Sequence, residues 1–341
     1  MAEDKGSIFY KLHRGGMFNQ VFSLEIAFGL AQATGKKLTV YNVTNDLLWP
    51  IDIPSISSGV PMGKRAALMS ENIPSILELI DYPESLGHTM INPNIEEPQE
   101  GYIVVDELPL HEMYFKVSEA ENENKFRVNR TKLEMEKDKD YDLRSYNLAA
   151  YGRFFFGRTK EVDNAINSIK FKKEYTDFAK MVADSLGDFN AIHLRLTDHK
   201  VNFAVSEQEF DDAISALSDK KIVLLTDEVE SEMVKGKNVI ILDDIIVDNF
   251  SKEYALLPNT SEIAYGLVSS LILTYANDFI GTPGSTFSNY IYRERLQKQD
   301  VRFKYLGVDD HPEGSPFSWN TPTGEGQGSI YREWREAKLN L

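Results

Sequence analysis

From about residue 190 to residue 297 the chain alternates short apolar runs with stretches of helical spacing, and this alternation constrains the fold more than any other feature. Residues 190–194, 222–225, 239–242 and 278–281 read as strands. Residues 207–217, a long apolar stretch from a Ser261 cap to about residue 275, and residues 285–297 read as helices. Strands separated by helices call for crossover connections, and so for a parallel sheet with helices on its faces. The N-terminus begins in the same way. A strand at 7–12 meets a Gly15-Gly16 turn, then a helix from about 19 to 34 that ends at Gly35, and a second strand at 37–43. A chain of 341 residues suits two such domains better than one core. The expected boundaries are 1–160 and 161–310, followed by a tail, 311–341, with a short helix at 330–338.

The remainder is less regular. Residues 49–98 mix Pro and Gly with one expected helix around 73–81, and residues 101–105 look like a buried strand. Residues 117–145 are charged and hold few large apolar side chains apart from Phe126 and Leu133, so they read as an excursion rather than core. The aromatic cluster Tyr151-Gly152-Arg153-Phe154-Phe155-Phe156 closes the first domain, and helical spacing over 161–186 leads into the second.

Three polar segments sit where apolar runs end: Arg14-Gly15-Gly16-Met17-Phe18-Asn19-Gln20, His193-Leu194-Arg195-Leu196-Thr197-Asp198, and Gly281-Thr282-Pro283-Gly284-Ser285-Thr286-Phe287-Ser288. The first and third lead into helices, whose N-termini present free N–H groups and partial positive charge to an anion. The middle one adds an arginine, a cation that does not lose its charge. Arg195 follows an apolar strand and sits at its carboxyl end, where open α/β sheets bind ligands. A diphosphate is the economical ligand for the set. Simpler readings stand beside this one. Gly15-Gly16 alone is equally a tight strand-to-helix turn. His193 alone reads as a hydrogen-bonded core residue, and Ser285 to Ser288 as an ordinary helix cap. Thr226-Asp227, after the 222–225 strand, is most simply another cap.

Composition narrows the class. A net charge of −16, from 37 basic and 53 acidic residues, opposes nucleic acid or an anionic membrane as the main partner. The absence of cysteine excludes disulfides, thiolate metal sites and a cysteine nucleophile. No apolar run approaches the ~20 residues of a membrane span, and the N-terminal residues lack the pattern of a signal peptide, so the expectation is a cytoplasmic protein. Gly324-Glu325-Gly326-Gln327-Gly328 follows no strand, which argues against a dinucleotide oxidoreductase. Asp138-Lys139-Asp140-Tyr141-Asp142 mimics a metal-binding D-x-D. It has Leu143 where a calcium loop needs Gly and Ala149 where it needs Glu, so it reads as a solvated loop.

Taken together, the segments resemble the motifs of the fucosyltransferase superfamily, which includes protein O-fucosyltransferases and the α-1,2 and α-1,6 enzymes. The first is similar to a G-G-x-x-N-Q turn, the second to an H-x-R-x-T/G-D strand end, and the third to a T-x-x-S-T/S-F-S loop. Leu225-Thr226-Asp227-Glu228 resembles an A-T-D-E strand end. The likeness is strongest over residues 8–34 and 190–297. It implies an α/β fold of GT-B type, two Rossmann-like doubly wound domains facing across a cleft. It also implies GDP-fucose as donor, a glycan or protein acceptor, no cofactor and no metal. By this resemblance Arg195 stabilises the leaving diphosphate. Arg14, Gly15, Gly16, Asn19, His193, Thr226, Asp227, Ser285, Thr286, Phe287 and Ser288 bind substrate, and Asp198, or else His199, takes the acceptor proton. Three positions depart from the family. Leu196 stands where the α-1,6 group has a second arginine, the segment from His199 to Phe203 has no clear general-base glutamate, and Ser269-Ser270 replace an acid expected at the guanine edge. Two alternatives remain open: a non-catalytic sugar-nucleotide or glycan-binding protein, and a GT-B transferase using another nucleotide sugar.

Overall fold

Among the described residues the alternation of strand and helix resolves into two five-stranded sheets, both entirely parallel, beside a small two-stranded one. The computed structural model describes residues 6–12, 17–41, 63–68, 76–81, 89–92, 101–105, 139–143, 168–196, 205–282, 285–297 and 303–306. One unit comprises Met1–Leu48, Ser75–Lys170 and Ser315–Leu341, and the other Trp49–Pro74 and Phe171–Gly314.

In the first unit, β1 (Ser7–Lys11) is followed by α1 (Met17–Thr34) and β2 (Lys37–Tyr41). Phe18, Val21, Leu24, Phe28 and Ala31 recur at three- and four-residue spacing along α1 and are all buried, which gives the helix one apolar face. Gly35 ends the helix at φ +65°, a left-handed conformation that glycine adopts without strain. With β3 (Thr89–Asn92), β4 (Ile103–Val105) and β5 (Tyr141–Leu143), the sheet order is β3-β2-β1-β5-β4.

The strand β5 corrects, at residues 141–143, the sequence reading of 117–145 as an excursion; 117–138 and 144–145 lie outside the described residues. Its residues lie inside the sheet, between β1 and β4, and Asp142 is fully buried. The charges around it bond groups of the same unit. Asp140 accepts from the Ser7 N–H at 2.6 Å and the Ser7 hydroxyl at 2.7 Å. The buried Lys36 ammonium donates to the Lys139 carbonyl at 2.7 Å. The expected helix at 73–81 is also replaced, by a short 3₁₀ turn at Ile76–Glu78 and a strand at Ile80–Asp81. Residues 73–75 lie outside the described residues, and the β-branched Ile80 favours extended backbone.

In the second unit, α2 (Lys173–Leu186) buries Tyr175, Phe178, Ala179, Val182, Ala183 and Leu186 along one stripe. Within the expected 161–186 helix, Ser168 is helical, Lys170–Phe171 is extended and interrupts it, and 161–167 lie outside the described residues. The strands are β6 (Phe189–Leu194), β7 (Lys221–Thr226), β8 (Ile240–Ile241), β9 (Phe279–Gly281) and β10 (Phe303–Tyr305). The helices are α3 (Glu207–Ala216), α4 (Leu242–Tyr254), α5 (Glu262–Leu273) and α6 (Thr286–Gln297). A reciprocal Ser206–Glu209 capping box starts α3, and the Ser261 hydroxyl accepts from Ala264 N–H to start α5.

The sheet runs β8-β7-β6-β9-β10, a Rossmann-type order whose direction reverses between β6 and β9. Every residue of β6 is buried, as expected of a central parallel strand. Its period of two divides the work. Ile192, Leu194 and Leu196 join Ile222, Leu224, Ile280, Phe210 and Ala213 in one apolar core, where each large side chain contributes about 1.5–3 kcal/mol by burial. His193 points to the opposite face. Phe178, Tyr254 and Tyr265 link α2, α4 and α5 through edge contacts at 5.6 and 5.9 Å, and burial pushes the Tyr254 phenol well above its usual range. The 3₁₀ turn Gly63–Leu68 also belongs to this unit, with Lys64 Nζ 3.2 Å from Asp244 and 2.9 Å from Asp248 on α4.

Candidate functional site

Open parallel sheets bind ligands beyond the carboxyl ends of their strands, at the point where strand order reverses, because adjacent connections leave in opposite directions there. In the second unit that point lies between β6 and β9. Their pairing is Phe279 opposite Ala191 and Ile280 opposite Ile192, whereas on the other side β6 pairs with β7 as far as Leu194 opposite Thr226. Beyond these positions the backbone ladder is replaced by side chains.

His193, the penultimate residue of β6, is 6% exposed. Its Nδ1 lies 2.7 Å from the Ser288 hydroxyl in the first turn of α6. Its ring packs on Phe287 with centroids 4.5 Å apart and a 32° tilt. The histidine thus fixes the start of α6 against the end of β6. Gly281 permits this approach, since a Cβ there would stand 2.7 Å from Ser288 Cβ. Thr282 is fully buried, and its hydroxyl donates to the His193 carbonyl at 2.7 Å and accepts from the Arg195 N–H at 2.9 Å. From the other neighbouring strand, the Asp227 carboxylate accepts from Leu196 N–H at 2.7 Å. Arg195, half-buried, is therefore held through the peptide on each side.

Ser285 sits just before α6 and is fully buried, yet its hydroxyl has no hydrogen-bond partner. Burying such a group unpaired costs about 1–3 kcal/mol. The adjacent N–H groups of α6 share the polarity of any helix start. A half-buried arginine, an unpartnered hydroxyl and a helix N-terminus at one sheet end are groups that can take up an anion. Among the described residues, no group of three or more His, Asp or Glu side chains is arranged to hold a metal ion. No helix of the described residues is long and apolar enough to cross a membrane.

The structure brings His193, Arg195, Asp227, Phe287 and Ser288 together, with Ser285 and Thr286 at the start of α6. Thr226 ends β7, buried, where its hydroxyl accepts from Glu228 N–H at 3.2 Å and shapes a local turn. Asn19 lies in the first turn of α1, in the other unit. Arg14, Gly15, Gly16 and Asp198 lie outside the described residues, as does His199. Leu196, where the α-1,6 group has a second arginine, is 3% exposed and packed in the apolar core, so that position belongs to the sheet interior. Ser269 and Ser270 are fully buried in α5, and the Ser270 hydroxyl bonds the Leu267 carbonyl. Thr282 opens the T-x-x-S-T/S-F-S likeness of the third segment, but no role of its own is legible for it in the sequence.

No family model matches the chain, and no curated protein matches it by sequence. Solved structures do. The fucosyltransferase NodZ from Bradyrhizobium aligns over 84% of this chain and 92% of its own, with 12% identity and a TM-score of 0.50. POFUT1 in complex with GDP aligns over 90% of this chain and 100% of its own, with 14% identity and a TM-score of 0.48. With its parallel sheets and mixed α/β order, the chain shares the fold of that NodZ fucosyltransferase structure.

Proposed function

We propose that the protein is a glycosyltransferase that moves fucose from GDP-fucose to a hydroxyl of a glycan or protein acceptor, inverting the anomeric centre without a metal ion. The observation that carries this reading is the Ser285 hydroxyl, buried without a partner at the start of α6 beside the strand end that bears Arg195. The four motif segments, in the superfamily's order and on its fold, support the choice of donor.

In this reaction the acceptor oxygen attacks C1 of the sugar while the bond from C1 to the β-phosphate oxygen breaks. The sugar gains oxocarbenium character, GDP departs with the bonding electrons, and the acceptor proton passes to a base. Catalysis therefore consists mainly of stabilising negative charge on the diphosphate. Arg195 supplies a planar cation with two-point geometry, and the Ser285, Thr286 and Ser288 region adds hydroxyl and N–H donors. Phe287, stacked on His193, holds those donors in place. By the same reading Thr226 and Asp227 line the strand end beside the donor, and Arg14, Gly15, Gly16 and Asn19 form the second phosphate turn. Asp198 or His199 takes the proton. The donor is assigned to residues 161–310 and the acceptor to residues 1–160, a GT-B division of labour.

A thermal-shift panel tests the reading. GDP and GDP-fucose at a hundredfold excess over Kd should stabilise the fold by about 2.7 kcal/mol, whereas UDP and ADP should not. GDP release from GDP-fucose should persist in EDTA. Equal shifts with all nucleotides refute the guanine assignment, and loss of turnover on chelation with recovery by Mn²⁺ refutes the metal-free mechanism. Retention of GDP-fucose with no release of GDP, with or without acceptors, would mark a binding protein instead.

A further inference from the structure

The pairing of β6 with β9 stops at Ile192 opposite Ile280, although β9 stays paired to β10 through Gly281 opposite Tyr305. The two central strands thus part at the reversal point while the outer pair continues. Thr282, the next residue, reaches back with its side chain. Its hydroxyl donates to the carbonyl of His193 and accepts from the N–H of Arg195. In a parallel ladder, one residue gives its N–H to a carbonyl on the neighbouring strand and takes an N–H from two residues further along. A single hydroxyl here makes both of those bonds, to residues 193 and 195, because it donates and accepts at once.

We propose that Thr282 is a positioning residue. It continues the β6–β9 ladder through its side chain, so that the strands separate and open the reversal point while Arg195 stays fixed. Backbone pairing carried one residue further would keep the strands at the ladder spacing of about 4.8 Å and close the space a ligand needs. Without any substitute for it, the Arg195 N–H and His193 carbonyl would be buried unpaired. Asp227 does the matching work from β7 by accepting the Leu196 N–H. The peptides before and after Arg195 are thereby tied to both neighbouring strands. This inference rests on the reading of Arg195 as the ligand of the donor diphosphate. Misplacing such a group by about 1 Å costs on the order of 10²-fold in rate.

The test is a double-mutant cycle on GDP release from GDP-fucose. Thr282→Val keeps the shape and removes the hydroxyl. It should lower kcat by about 10- to 100-fold and leave the KM for GDP-fucose largely unchanged. Thr282→Ser, which keeps the hydroxyl, should recover most of that loss. In an Arg195→Ala background, Thr282→Val should cost almost nothing more, because coupled residues are not additive. Its effect on the melting temperature should be the same in both backgrounds. Hydrogen exchange gives a readout that needs no substrate: the Arg195 amide should be protected in the wild type and in Thr282→Ser, and exchange faster in Thr282→Val. Equal rate losses in both backgrounds, a Val variant with wild-type kcat, or a Ser variant as poor as Val would each overturn the positioning role alone. If Arg195→Ala itself keeps wild-type GDP release, the donor assignment and the positioning role fall together.

Discussion

The two ends of the second sheet are built from the same kinds of residue and treat them in opposite ways. At the amino end of β6, polar side chains tie loops to the sheet. Asn190 is fully buried, donates to the Leu217 carbonyl and the Asp219 carboxylate at 2.9 Å each, and accepts from Asp278 N–H at 3.1 Å. Arg295, fully buried in α6, donates to the carbonyls of Ala276 and Asn277 at 2.6 and 2.7 Å. At the carboxyl end, backbone groups are matched through Thr282 and Asp227, and beside them lies a buried serine hydroxyl without a hydrogen-bond partner. One end joins loops to the sheet, and the other, in the function proposed here, meets the donor. On that reading two arginines in one unit serve different purposes, and substitution should separate them.

The largest effect is expected at Arg195. Arg195→Ala should reduce kcat for GDP-fucose by about 10²–10³-fold, the usual consequence of losing one donor to charge that develops in the transition state. Arg195→Lys should recover little, because an ammonium lacks the planar fork. The melting temperature of the unliganded protein should remain near wild type in both. Steady-state GDP release measured beside a thermal melt decides the matter: wild-type turnover with a collapsed melt would give Arg195 the structural part held by Arg295.

Arg295→Met should show the reverse pattern. It removes charge-assisted bonds to two buried carbonyls while keeping the aliphatic length of the side chain. The expected loss is roughly 2–3 kcal/mol. For a unit of this size that corresponds to a fall of roughly 5–10 °C in melting temperature. Below the transition, GDP affinity should stay within about twofold of wild type, since the joined loops lie at the amino end of the sheet. A strong loss of affinity with an unchanged melt would erase the contrast between the two ends.

How much of this was readable from residues alone follows the range of the forces involved. The strands β6, β7 and β9 and the helices α3, α5 and α6 announce themselves through apolar runs and caps such as Ser206 and Ser261, which act within a few residues. The helix α4 was hidden because Ile240-Ile241-Leu242 continues a strand-like run into it. Asp243 and Asp244 in its first turn, and Lys252 in its last, were the available signal. The strand β5 was hidden by the charges around it, whose bonds to Ser7 and Lys36 span 133 and 103 residues. At the site, His193, Arg195, Phe287 and Ser288 could be grouped by motif. The roles of Asp227 and Thr282 could not, because their bonds to Leu196 and Arg195 span 31 and 87 residues. Such contacts exist only once the sheet has brought the strand ends together.

The smallest effect, and the most discriminating, is expected at Ser285. A serine preceding a helix ordinarily caps it, and replacing such a cap with alanine costs about 0.5–2 kcal/mol. The Ser285 hydroxyl makes no capping bond, and the first bond of α6 at this position, from Asn289 N–H to the Ser285 carbonyl at 3.0 Å, involves only backbone. Ser285→Ala should therefore leave the unliganded melt unchanged, or raise it slightly by removing a buried hydroxyl that nothing satisfies. The same substitution should weaken GDP binding about tenfold, which is about 1.4 kcal/mol, through loss of one bond to a phosphate oxygen. Calorimetric titration with GDP beside a thermal melt reads both quantities on one sample. Destabilisation by 1 kcal/mol or more with unchanged GDP affinity would make Ser285 a cap like Ser206 and Ser261. The carboxyl end of the sheet would then lose the donor that sets it apart from the amino end.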